Sequence, residues 1–202
     1  MLSAPSRRMA IAACTAAFAF PALADTPTIN TYSSWDGTAA SPFGCPDITT
    51  FGQVITVPSG LHHLNKFTFS WQKANGSSGP MVVRAYVYRW DGTNAKAKGS
   101  SLFESSPRTI AFSDLSFHAE GFSPPAIAVT PGAQYVVFAS IDREYVDCKN
   151  GYALGWGVVT SDVYSGGTLV SQSNTGDDLQ WTGTAWDAVS GYDLAFKAYL
   201  SP

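Results

Sequence analysis

Four side chains at alternate positions, Arg84, Tyr86, Tyr88 and Trp90, could do binding chemistry together. Same-face residues on an extended strand sit roughly 6.5–7 Å apart, about the spacing of consecutive sugar rings. The apolar C–H faces of sugars pack on aromatic rings, and tyrosine hydroxyls and a guanidinium add hydrogen bonds. The competing reading is that these rings are core, since large aromatics fill sandwich interiors. The other face of the stretch, Val83, Ala85 and Val87, makes an equally good core face. An arginine is costly to bury unpaired, which favours display of the Arg84 face. Whether this set binds anything depends on which face meets water.

The remaining chemistry-bearing residues are sparse. His62 and His63 are adjacent, and on a strand they point opposite ways, so a surface turn is the simpler reading. His118 and Glu120 share a face and could hold a metal or move a proton, but no third partner is identifiable. Asp177-Asp178 reads as a turn. The chain has no Gly-x-Ser-x-Gly elbow, no His-Glu-x-x-His and no phosphate loop. Fifteen acidic residues can always supply some carboxylate pair, so glycosidase chemistry gains nothing from their number. The expectation is a protein that is not an enzyme.

The N-terminus reads as an export signal. Arg7 and Arg8 precede an apolar run from Met9 to Phe20, Pro21 breaks it, and Ala22-Leu23-Ala24 fits a cleavage site. The run is too short to span a bilayer. Removing 1–24 takes Lys+Arg from 12 to 10 against 15 Asp+Glu, a formal charge of −5, so no basic stripe is left for nucleic acid. The expected compartment is the periplasm or the outside medium. Cys45 and Cys148 are then the two cysteines of the mature chain, and in an oxidising compartment such a pair is expected to form a disulfide. It would close a loop of about 100 residues, worth up to ~4–5 kcal/mol in the chain-entropy model. Two free thiols are the alternative.

The elements that must position these residues are strands. No stretch sustains a 3.6-residue period, and Pro, Gly, Ser and Thr punctuate the chain. An irregular lead-in is expected over 25–51, with one strand near Asn30–Ser34. Further strands are expected at Gln53–Val57, Leu64–Trp71, Val82–Trp90, Ser101–Glu104, Arg108–Phe112, Ser116–Phe122 and Ala126–Thr130. Others follow at Gln134–Ile141, Tyr152–Thr160, Gly167–Ser171, Leu179–Trp181 and Tyr192–Leu200. Asp142–Asn150 reads as a charged loop. Trp35-Asp36-Gly37-Thr38 and Trp90-Asp91-Gly92-Thr93 are the same four residues used as two turns, with flanks that rule out a repeat. Ten or so short strands argue an all-β fold, an antiparallel β-sandwich of jelly-roll type in one domain over 25–202.

The segments FGQVITVPSG, LNKFTFSW, RAYVYRWDGT, PGAQYVVFAS and GYDLAFKAYL, in that order, carry a resemblance. Over about residues 51–200 the chain resembles exported β-sandwich domains of the kind found in PEP-CTERM-type bacterial proteins, and more loosely jelly-roll carbohydrate-binding modules. It departs from the former in lacking the Pro-Glu-Pro motif, membrane helix and basic tail. That resemblance implies a fold and a compartment, and no activity. The looser one implies a structural calcium near Asp193, although one Asp is far short of the six to eight oxygens calcium takes. The alternative is an Asp bonded to neighbouring amides. The leading functional expectation is a non-catalytic module binding carbohydrate or extracellular polysaccharide. A structural envelope protein binding other proteins is the second, and a secreted hydrolase the third.

Overall fold

The computed structural model describes residues 26–45, 47–77, 79–145 and 153–202. The export signal expected at 1–24 and Cys148 lie outside the described residues. The strands are β1 (Ile29–Asn30), β2 (Ala39–Gly44), β3 (Thr50–Thr56), β4 (His63–Lys73), β5 (Met81–Asp91), β6 (Lys96–Glu104), β7 (Arg108–Ile110) and β8 (His118–Phe122). They continue as β9 (Ile127–Ala128), β10 (Gln134–Ser140), β11 (Ala153–Val159) and β12 (Leu169–Gln172). A single helical turn, α1 (Gln180–Gly183), precedes β13 (Asp187–Val189), β14 (Asp193–Leu194) and β15 (Phe196–Ser201).

These strands form the expected all-β antiparallel sandwich. One sheet runs β1-β15-β4-β11-β14, with β2 on β11 and with β8 and β9 on β4. The other runs β13-β12-β3-β10-β5-β6, with β7 on β5. The chain passes from one sheet to the other at most connections, so neighbours such as β3 and β10 are distant in sequence. Alternation on β4 sends Phe67, Phe69 and Trp71 inward, where they meet Val83, Ala85 and Val87 of β5 and Tyr135, Val137 and Ala139 of β10 in one core. Phe43 and Trp156 fill the middle of that core with ring centroids 5.0 Å apart.

A second apolar cluster lies on the outer face of the β10 sheet. Tyr86, Tyr88, Phe138, Val54, Val136 and Val170 are covered there by Trp181 and Trp186. Phe138 stacks on Tyr86 at 5.0 Å, and Trp181 leans on Tyr86 at 4.6 Å. Gly52 pairs across from Phe138, and a Cβ at that glycine would stand 2.8 Å from the Phe138 Cβ. The sheet is therefore apolar on both faces, which is the pattern of a layer buried on both sides.

A buried carboxylate holds this cover in place. Asp142 is 3% exposed. Its Oδ2 accepts from Thr50 Oγ1 at 2.9 Å, Ser140 Oγ at 3.0 Å, Trp181 Nε1 at 2.9 Å and Asn174 Nδ2 at 3.2 Å. Its Oδ1 accepts from the Gly176 amide at 3.3 Å. Trp186 Nε1 in turn donates to the Trp181 carbonyl at 2.9 Å. A buried charge is tolerated only when donors of this kind surround it.

Four expectations need correction. Leu179–Trp181 is not a strand: Asp177 accepts from the Leu179 amide and α1 closes one turn, which aims Trp181 at the sheet and leaves Leu179 75% exposed. The lead-in is not irregular throughout, because β2 pairs with β11 there. The start of the expected Asn30–Ser34 strand is β1, but Tyr32–Ser34 is a 3-10 turn. Finally, Tyr192–Leu200 is two strands, broken at Ala195, where Thr31 Oγ1 accepts from the Phe196 amide at 2.9 Å and donates to the Leu194 carbonyl at 2.6 Å.

Replacing Asp142 by Ala leaves the buried Trp181 Nε1 without its acceptor, while Thr50 and Ser140 keep Ser140 and the Thr49 carbonyl within reach, and should destabilise the fold by on the order of 3 kcal/mol in urea denaturation. Trp181→Ala should cost about 3–5 kcal/mol. The double variant should cost clearly less than the sum, because Trp181 is one of the Asp142 donors.

Candidate functional site

The Arg84 face is not displayed. Tyr86 is 0% exposed and Tyr88 6%, both beneath Trp181, and Trp90 meets Trp186 edge-on at 5.8 Å. The physical reason is the pair of large rings on the segment around α1, which bury themselves on the nearest uncovered apolar surface. Arg84 escapes the cost of unpaired burial through Glu144 at 2.5 Å and Glu104 at 3.0 Å. The Glu144 hydrogen bond, with burial pulling the other way, raises the already high pKa of this guanidinium. Arg143 extends the network by pairing with Glu104 and Asp178, and its guanidinium lies 5.7 Å from the Trp181 ring. These charges rim the cover and fasten it.

The other singled-out residues are dispersed. His118 stacks on Phe112 at 4.3 Å with Nε2 3.1 Å from Asp114 Oδ1, whereas Glu120 pairs with Arg108 at 2.9 Å. His62 is exposed, and His63 Nδ1 lies 2.9 Å from the Pro202 carbonyl. Asp177 caps α1 and Asp178 pairs with Arg143. Among the described residues no three His, Cys, Asp or Glu side chains converge as a metal site would require.

Asp193 is buried and already occupied by donors. Its Oδ1 accepts from Gln53 Nε2 at 2.8 Å, and its Oδ2 accepts from the amides of Val163 and Tyr164 at 3.0 and 2.9 Å. Gln53 completes the clasp by accepting from the Leu194 amide at 2.8 Å. Three N–H groups aimed at a carboxylate are the reverse of the oxygen shell a calcium ion takes. The amide-bonded alternative is the one seen, and Asp193 ties the 163–164 loop to β3. Cys45 is 7% exposed, at the end of β2.

The outer face of the β4 sheet carries the side chains best placed for a ligand. With Phe67, Phe69 and Trp71 inside, β4 turns Lys66, Thr68, Ser70 and Gln72 outward. Tyr199 lies across from Lys66, and Lys197 across from Thr68. The turn after β1 lays Tyr32 and Trp35 onto this face. Trp35 Nε1 donates to the Thr38 carbonyl at 2.8 Å, and the ring sits over Gly157, where a Cβ would stand 2.8 Å from it. Asp36 Oδ1 accepts from the Thr38 amide, the same aspartate turn that Asp91 makes with Thr93.

Trp35 meets Phe117 at 4.6 Å and Tyr32 at 5.7 Å, both edge-on. Lys197 Nζ is 4.6 Å from the Tyr32 ring centre and Lys66 Nζ is 5.1 Å from that of Tyr199. All six residues of this row, Tyr32, Trp35, Phe117, Tyr199, Lys66 and Lys197, are half-buried. Burial pushes the Tyr32 hydroxyl up to about 12, with the Ser70 hydroxyl beside it pulling the other way. The hydroxyl oxygen is itself buried beside Ser70, so it is the ring and not the hydroxyl that this residue turns outward. Sequence reading missed the row because it joins a turn, a loop and two strands. The legible signals were the strand alternations that set Lys197 with Tyr199 and Lys66 with Thr68 and Ser70.

No protein-family model matches the chain, and no curated protein matches it.

Burial raises the Asp193 carboxyl above its ordinary 3.8, against the pull of the Tyr164, Gln53 and Val163 donors. The native state then holds this proton more tightly than the unfolded chain does. Its contribution to stability therefore grows as pH falls through the native value toward 3.8. Asp193→Asn removes that dependence and sets an amide against Gln53 Nε2. The stability gap between wild type and Asp193→Asn, from urea denaturation at several pH values between neutrality and pH 4, should widen on acidification; a narrowing gap would mean that the three donors outweigh burial.

Proposed function

We propose that this protein is an exported, non-catalytic module that binds carbohydrate on the free outer face of the β4 sheet. The observation that carries the reading is the row of half-buried aromatics and lysines on the sheet face that, among the described residues, has no second apolar cluster above it. The rings of Tyr199 and Tyr32 offer apolar surface to sugar C–H faces once Lys66 and Lys197 swing aside. Those ammoniums, with Gln72, then donate to sugar oxygens. A glycan bearing carboxylates would gain most from the two lysines.

Export fits this role. Arg7, Arg8, the Met9–Phe20 run and Ala22-Leu23-Ala24 supply an export signal, and a Cys45–Cys148 bridge is expected in the same compartment. The resemblance to exported β-sandwich domains and to carbohydrate-binding modules points the same way.

Affinity electrophoresis through gels carrying a panel of neutral and acidic polysaccharides tests the reading. Retardation by at least one glycan is expected. Tyr199→Ala combined with Lys197→Ala should weaken it at least about 10-fold, roughly the loss of one good stacking contact and one charged hydrogen bond. Absence of retardation across the panel, or a double variant that binds as wild type does, would overturn it. For the bridge, mass spectrometry of the unreduced protein should find the Cys45 and Cys148 peptides linked, and two alkylatable thiols would refute it.

A further inference from the structure

The two sheets part at one edge of the sandwich, between β2 and β11 on one side and β12 and β13 on the other. The gap there is a cleft of about 430 Å³. It exists because β2 offers only Ala39 and Ala40 where larger side chains would close the seam. Val158 and Leu169 form the inner walls, and Phe51 lies at the base. Val189 and Tyr192, each 37% exposed, stand at the mouth.

Every polar side chain on the lining is a hydroxyl, from Thr38, Thr160, Ser171 and Tyr192, and no charged side chain contributes. Both rims are fixed by main-chain bonds. The Leu169 amide donates to the Tyr192 carbonyl at 3.1 Å, and the Val158 amide to the Thr38 carbonyl at 3.0 Å. Beyond Tyr192 a second hollow of about 300 Å³ is lined by Thr168, Ser190 and Asp162.

We infer that this cleft is a binding site for a small, uncharged, mainly apolar molecule, separate from the carbohydrate face and independent of it. The volume lies in the range of preformed small-molecule sites, which are apolar with a few fixed polar groups. An ionic group would be desolvated there with nothing to pair with, so a neutral ligand is selected. The apolar body lies between Ala40, Val158 and Leu169. A hydroxyl or similar polar end reaches Tyr192 and the second hollow. An added peptide strand is disfavoured, because the Gly44 amide of β2 already donates to the Ile48 carbonyl and Pro42 has no N–H to offer.

The full chain is titrated with N-phenyl-1-naphthylamine, an uncharged aromatic probe whose fluorescence rises in apolar sites. Saturable one-to-one binding is expected. Ala39→Trp, at an exposed position on the rim, should weaken it at least 10-fold with an unchanged Tm. Tyr199→Ala should leave probe binding unaltered, which separates this site from the sheet face. If Ala39→Trp does not fold, Val189→Trp blocks the cleft from the opposite rim. No saturable rise with the wild-type chain, or one that a folded rim variant retains, overturns the proposal.

Discussion

The hydrogen bonds around the Asp142 carboxylate determine what the rest of the surface can do. One buried charge collects donors from β3, from the end of β10, from the 174–176 turn and from Trp181. Those groups coincide in one arrangement of the chain, and leaving any of them unpaired is costly. Trp181 is thereby set over Tyr86 and Tyr88, and Trp186 follows it. The outer face of one sheet is spent on a third apolar layer. Among the described residues the outer face of the other sheet carries no such cluster.

Much of the fold was legible. Alternation on β4, β5 and β10 gave the strands and the parity of their faces, and Asp-Gly and Pro-Gly pairs gave the turns. The decision that mattered lay beyond that signal. Both faces of β5 are apolar, and the residues that cover Tyr86 and Tyr88 come from far along the chain in a segment too short to show a period. Asp142 reads as part of a charged loop because its donors are distant in sequence. Ala39–Gly44 lacks alternation and contains Pro and Gly, so β2 leaves no strand signature. The free-face row shares this problem, since Tyr32 and Trp35 reach it by a turn and Phe117 by a loop.

Asp193 and Asp142 solve the same problem in opposite places. Each is a buried carboxylate whose oxygens are met by N–H or O–H donors, and each anchors a loop that regular pairing does not reach. Asp142 fastens the tryptophan layer, and Asp193 fastens the 163–164 loop against β3. Both carboxylates therefore act as internal clasps.

The third layer also sets an order of assembly. Its floor consists of side chains from β3, β5, β10 and β12, and its anchor needs β3 and β10 already side by side. Nothing in the α1 segment is long enough to hold a helix by itself. The tryptophan cover must therefore form after the sheet beneath it. Until it does, the chain carries an open aromatic surface on Tyr86, Tyr88 and Phe138. That interval is when a neighbouring chain has access to it.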